Sequence, residues 1–90
     1  MEMEHVIKIE TKYLLRIISK EKTFEVRLND RDYQVGDILR FKEIREDDLC
    51  KDDSHRRKIT YVHNGLGMKE GYVVLGLSEQ ALGNTWQDGG

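Results

Sequence analysis

Proline is missing altogether from the 90 residues, and cysteine occurs once, at Cys50. Average usage would give roughly four or five prolines, so no Pro-rich linker divides the chain and no prolyl isomerisation is expected to limit its folding. A lone cysteine cannot close an internal disulfide or supply a thiolate zinc site, which excludes disulfide scaffolds and zinc ribbons and fits a reducing compartment. No apolar run approaches the roughly 18 residues that a membrane helix needs. The opening MEMEHVIKIE lacks the basic, apolar, small-residue order of a secretion signal. These absences set the expectation of a cytoplasmic protein without membrane contact; a monomer is also expected. Excess charge of one sign is also lacking: 15 Lys and Arg stand against 17 Asp and Glu, a formal net charge of -2. Such a chain does not coat duplex nucleic acid through its overall field, so any nucleic-acid site must be local.

What is present is enough for one domain. At this length folding hides roughly 60 to 65% of the surface exposed by the unfolded chain, so most apolar residues must enter one core. A single domain is expected over residues 1–80, with 81–90, polar and glycine-ended, as a disordered tail. Residues 5–9 are rich in β-branched side chains, with Ile7 and Ile9 opposite Lys8, and predict a strand. From 11 to 19, Leu14, Ile17 and Ile18 recur at helical spacing behind Thr11, a candidate N-cap. Residues 23–28 alternate cleanly, with Phe24, Val26 and Leu28 on one face and Thr23, Glu25 and Arg27 on the other.

Asn29-Asp30-Arg31-Asp32 and Val35-Gly36-Asp37 are turn chemistry. Residues 38–45 predict a strand with Leu39 and Phe41 inward and Arg40 and Lys42 outward. The acidic stretch 46–55 is too charged for the core and reads as a mobile loop. Residues 58–63 predict a fourth strand, with Ile59 and Tyr61 on one side. Residues 72–77 are apolar on both faces, as in a strand buried between a sheet interior and the helix. Five short strands and one early helix favour a β-rich α+β fold, a sheet that curls and closes into a small β-barrel with the helix packed on it.

One segment carries more than a fold signal. Lys22, Thr23, Glu25, Arg27, Asn29, Asp30, Arg31, Gly36 and Asp37 follow an opening His5, Lys8, Ile9 and precede a closing Gly71 to Gly76. Over about residues 5–77 this order resembles the ASCH domain of the PUA-like superfamily, specifically a small phage and bacterial ASCH-related family of uncharacterised function. The chain departs from the wider motif at Lys20, where that motif carries glycine, and at DDSHRRK, where many relatives carry Thr-Gly-Arg. The resemblance implies a PUA-like β-barrel whose cleft binds RNA or a modified nucleoside, although a fold alone does not fix a function.

The residues themselves permit that chemistry. Glu25 and Arg27 are two apart on a strand, so they leave the same face with Cα atoms about 6.5 to 7 Å apart. Lys22, at the turn into the strand, can swing toward them. Two cations around one carboxylate offer donors to phosphate, while the carboxylate accepts from a base amino group. Thr23, Asn29 and Arg31 extend the candidate site. The plainer alternative is an ion pair on a solvated strand face, which is what charge on an alternating strand usually means. His55, Arg56, Arg57 and Lys58 either flank the same cleft or compensate the acidic loop before them. Among the aromatics that could stack a base, Tyr13, Tyr33, Tyr61, Tyr72 and Trp86, the apolar context of Tyr61 and Tyr72 favours the core.

Cys50 lies among aspartates that would raise a thiol pKa, and His5, His55 and His63 lack ligand spacing, so neither a nucleophile nor a metal or cofactor site is expected. A binding module for RNA or a nucleoside-like ligand therefore leads. The rival is an enzyme: small ASCH amidohydrolases acting on acylated cytidine resemble the chain at Lys22 and Arg27, yet Glu25 stands where they carry a threonine. A protein-binding accessory factor of a phage or mobile element is a third class.

Overall fold

The alternation of residues 5–9 does bury one face, with His5, Ile7 and Ile9 inside the first strand, β1 (Glu4–Glu10). The computed structural model describes residues 2–44 and 55–82. After β1 come α1 (Thr11–Ile18), β2 (Phe24–Leu28), β3 (Ile38–Ile44), β4 (His55–His63) and β5 (Tyr72–Leu77). The fourth strand thus starts three residues before the expected 58 and takes in the basic run. The expected acidic loop with Cys50, and the expected tail with Trp86, lie outside the described residues except at their margins. At those margins His55 opens β4 and the Leu82 N–H donates to the Arg56 carbonyl at 2.9 Å.

The strands form one sheet in the order β1-β3-β4-β5-β2. β1 runs parallel to β3, and the other neighbours are antiparallel. The result is a β-rich α+β fold, a curled half-barrel of five mixed strands with one short helix. Leu14 and Ile17 of α1 enter its interior and join Ile7, Leu39, Phe41, Ile59, Val73 and Leu75. Each such side chain contributes roughly 1.5 to 3 kcal/mol by leaving water. Among the described residues no helix is long and apolar enough to cross a membrane.

Several local expectations change. Thr11 does not cap the helix: Glu10 holds the N-cap place without a side-chain bond, and the Thr11 hydroxyl donates to Glu43 instead. Ile18 faces solvent. The register shift between Ile59 and Tyr61 turns Tyr61 outward, 63% exposed, so it is not core. A bulge adds one residue to one strand, and that reverses the side on which later side chains emerge. On β5, Val73, Leu75 and Leu77 point in, but α1 packs chiefly against β1 and β3 and does not cover the outer side.

Polar groups tie these elements together over long sequence distances. His5 Nε2 donates to Asp37 Oδ2 at 2.9 Å, and the backbone N–H groups of Met3 and Gln34 also donate to that carboxylate. The positive φ of Gly36 turns the chain just before Asp37, so the Val-Gly-Asp turn fastens the start of β1. Arg57, inward on β4 and nearly fully buried, donates to the carbonyls of Ile17, Ser78 and Glu79 and to His55. Its guanidinium thereby meets the C-terminal end of α1, where a cation is favoured by the helix dipole.

Directly after α1, Lys20 adopts φ 70°, and its N–H donates to the Ile17 carbonyl at 3.1 Å. A left-handed turn at a non-glycine residue is costly. Lys20→Gly should therefore stabilise the protein by about 0.5 to 1 kcal/mol in urea unfolding; lower stability would show that the turn is not left-handed. A second expectation concerns acid. Burial pushes the Asp37 carboxyl up, but the His5 ring and the N–H groups of Met3 and Gln34 outweigh it and hold the carboxyl below its usual range. Its contribution is present above the unfolded-state pKa of about 3.9 and is lost as pH falls through the lower folded value. Asp37→Asn should be less stable than wild type at pH 7 by about 1 to 3 kcal/mol. The gap should narrow in unfolding curves taken from about pH 4 downward, and a constant gap would contradict the assignment.

Candidate functional site

β2 sits at the edge of the sheet with its charged side inward. Phe24, Val26 and Leu28 are 44%, 46% and 51% exposed, whereas the Glu25 side chain is 7% exposed. A carboxylate in that position needs partners, because an unpaired buried charge costs several kcal/mol. Lys22 Nζ donates to Glu25 Oε1 at 2.8 Å, and Arg27 Nη1 donates to Oε2 at 3.3 Å. The Lys22 backbone N–H is itself fixed on the Arg16 carbonyl at 2.9 Å, so the end of α1 places the ammonium.

The edges explain the rest of the geometry. The Leu77 N–H donates to the Thr23 carbonyl and the Asn29 N–H to that of Gly71, so odd-numbered residues of β2 bond to β5. Strand alternation then turns the backbone groups of Phe24, Val26 and Leu28 away from β5. On β1 the Met3 carbonyl accepts from Ile38, which likewise turns the even-numbered carbonyls away from β3. Among the described residues no ladder joins β1 to β2. Instead, Arg27 Nη1 donates to the Lys8 carbonyl at 3.1 Å, and Arg31 Nη1 donates to that of Val6.

A cleft of about 550 Å³ opens along this seam. Lys8, Ile9 and Glu10 come from β1, Tyr13 from α1, Glu25, Val26 and Arg27 from β2, with Lys22 and Ile44 completing the wall. The Tyr13 ring stands at the side, its centroid 5.0 Å from Lys22 Nζ, and the Phe24 ring lies 5.6 Å from the same ammonium. Ammonium groups at such distances are attracted to the ring faces. The cleft therefore offers one acceptor carboxylate, cationic donors on both sides of it and an aromatic wall.

Of the six residues expected at the site, Lys22, Glu25 and Arg27 converge. Thr23 is exposed and does not line the cleft, its carbonyl serving the β5 ladder. Asn29 is a turn residue: its Oδ1 accepts from the Tyr33 N–H at 3.3 Å. Arg31 holds the seam rather than the cleft wall. The basic run of β4 does not reach the cleft either, because Arg56 pairs with Glu4 and Lys58 with Glu2, at 3.2 and 3.4 Å, and Arg57 is internal. Tyr33 is buried edge-on against His5, with centroids 4.8 Å apart, and so cannot stack a ligand. Lys8, Glu10 and Ile44 were missed as cleft residues. Of these, Lys8 had left a signal, in the opening His-x-x-Lys-Ile that also holds the cleft residue Ile9. Among the described residues no group of three or more His, Cys, Asp or Glu side chains could hold a metal ion.

Residues 4–77 match the family described as a domain of unknown function, DUF3850, and the chain belongs to that family. No curated protein matches the chain.

Proposed function

We propose that this member of the DUF3850 family is a binding module for RNA or a nucleotide-like ligand, which it takes into the cleft beside β2. The observation that carries the reading is the convergence of Lys22, Glu25 and Arg27 in one concave site against Tyr13. The cleft has the size of an ordinary small-ligand pocket, about 300 to 1,000 Å³. In this reading the ligand's base stacks on Tyr13, and its amino group donates to Glu25. Lys22 and Arg27 then donate to carbonyl or phosphate oxygens. The curled half-barrel is compatible with the ASCH-like architecture that the motif resembles, and the reading takes the cleft of that architecture as its binding place. An amidohydrolase is less well supported, because Thr23, the nearest hydroxyl in sequence, does not line the cleft beside Lys22.

The test is a titration of short RNA oligomers and free nucleosides against wild type, Arg27→Ala, Glu25→Ala and the distant Lys69→Ala at two salt concentrations. Binding is expected to be weak, with a salt slope corresponding to about two to four phosphates, because a chain of net charge -2 supplies little long-range attraction. Arg27→Ala should cost about 1 to 3 kcal/mol in binding, and Glu25→Ala should change which base is preferred. No binding at millimolar concentration, or equal loss in Lys69→Ala, would leave the cluster as a structural ion-pair network.

A further inference from the structure

The parallel register between β1 and β3 sets Lys8 directly beside Lys42. Both side chains leave the outer face of the sheet, because their neighbours Ile7 and Phe41 are fully buried on the inner one. Like charges directly opposite each other destabilise a strand pair. The sheet cannot escape this by slipping one residue, since a slip would drive the buried faces of β1 or β3 into water. Neither lysine has an acidic partner among the described residues, whereas the other cations of this face do: Arg40 and Arg56 hold Glu4, at 2.8 and 3.2 Å, and Lys58 holds Glu2. Lys8 also lines the cleft, and its carbonyl is the group that Arg27 holds. Lys8 therefore stands where the cleft wall meets the outer face of the sheet, with Lys42 beside it on β3.

We propose that Lys8 and Lys42 form a phosphate subsite at the rim of the cleft, so that the ligand is a phosphorylated nucleotide rather than a free nucleoside. The inference rests on the nucleotide reading of the cleft and adds the group that the outer end of the ligand must carry. A phosphate between the two ammonium groups turns one repulsion into two attractions, each with a charge-assisted hydrogen bond available. It also gives Lys42 a role that strand alternation did not suggest, since alternation makes it an ordinary solvated charge.

The experiment titrates inorganic phosphate, the common nucleosides and their 5′-monophosphates into wild type, Lys8→Gln, Lys42→Gln and Lys42→Glu, with side-chain ammonium NMR and calorimetry as readouts. Lys8 is exposed and Lys42 half-buried on the outer face, so the variants should fold, and the melting temperature of each checks this. Inorganic phosphate should shift the Lys8 and Lys42 signals together and leave Lys69 unmoved. Monophosphates should bind about tenfold more tightly than their nucleosides, as one charge-assisted contact provides. Lys42→Gln, outside the cleft lining, should remove that advantage and leave nucleoside affinity unchanged, and Lys8→Gln should remove it as well. Lys42→Glu should raise the melting temperature by pairing with Lys8 while abolishing the phosphate response. The proposal is overturned if phosphate moves neither lysine, or if nucleosides and monophosphates bind wild type equally. Should phosphate move both lysines while no nucleoside or monophosphate binds, the subsite stands as a site for free phosphate and the nucleotide reading of the cleft is the part that fails.

Discussion

The carbonyls of Val6 and Lys8 point away from β3, to a side of β1 where no further strand is paired, and two guanidinium groups from the far end of the sheet reach them. A sheet of five strands that curls brings its first and last strands near each other, and the backbone groups along both edges then need partners or water. Arg27 and Arg31 supply them as side chains. A side chain reaches farther than a backbone N–H, so the seam holds while staying wider than a ladder. The cleft is the space left by that difference in reach.

Arg27 serves both sides of the arrangement. Its Nη1 touches the Lys8 carbonyl and the Glu25 carboxylate at once. Glu25 in turn fixes Lys22, which hangs from the last turn of α1. The edge of β1, the face of β2 and the end of α1 are thereby joined through one inward carboxylate, and a charged side of β2 that would be unfavourable in a closed barrel becomes favourable at an open seam. The apolar residues Phe24, Val26 and Leu28 are left on the outside as the counterpart of that inversion.

The sequence announced some of this and concealed the rest, for reasons that differ by residue. Periodicity located all five strands and the helix, because burial acts on each element locally. For β2 it separated the two faces but could not say which points in; a half-barrel with an open seam puts the charged one inside. The outward turn of Tyr61 depends on a bulge, and nothing in the residues 58–63 marks it. The bond between His5 and Asp37 joins positions 32 apart, and the burial of Arg57 depends on carbonyls from α1 and the segment after β5. Such partners are set by topology and not by spacing. At the site, the central motif led to Lys22, Glu25 and Arg27, whereas Lys8 and Lys42 acquire meaning only through the parallel register. Lys20 is a further case: it takes a left-handed conformation directly after α1, which a lysine does not signal in the sequence.

The open seam is tested most directly by amide hydrogen exchange along β2. Val26, whose N–H faces the seam, should exchange fast, while its neighbours Glu25 and Arg27, paired with Leu75 and Val73 on β5, should be protected. Alternating protection of this kind is what arginine side chains bridging the edges predict. Protection of Val26 equal to that of Glu25 and Arg27, together with close backbone contacts between β1 and β2 in NMR, would mean that a strand ladder closes the barrel, and would contradict the account.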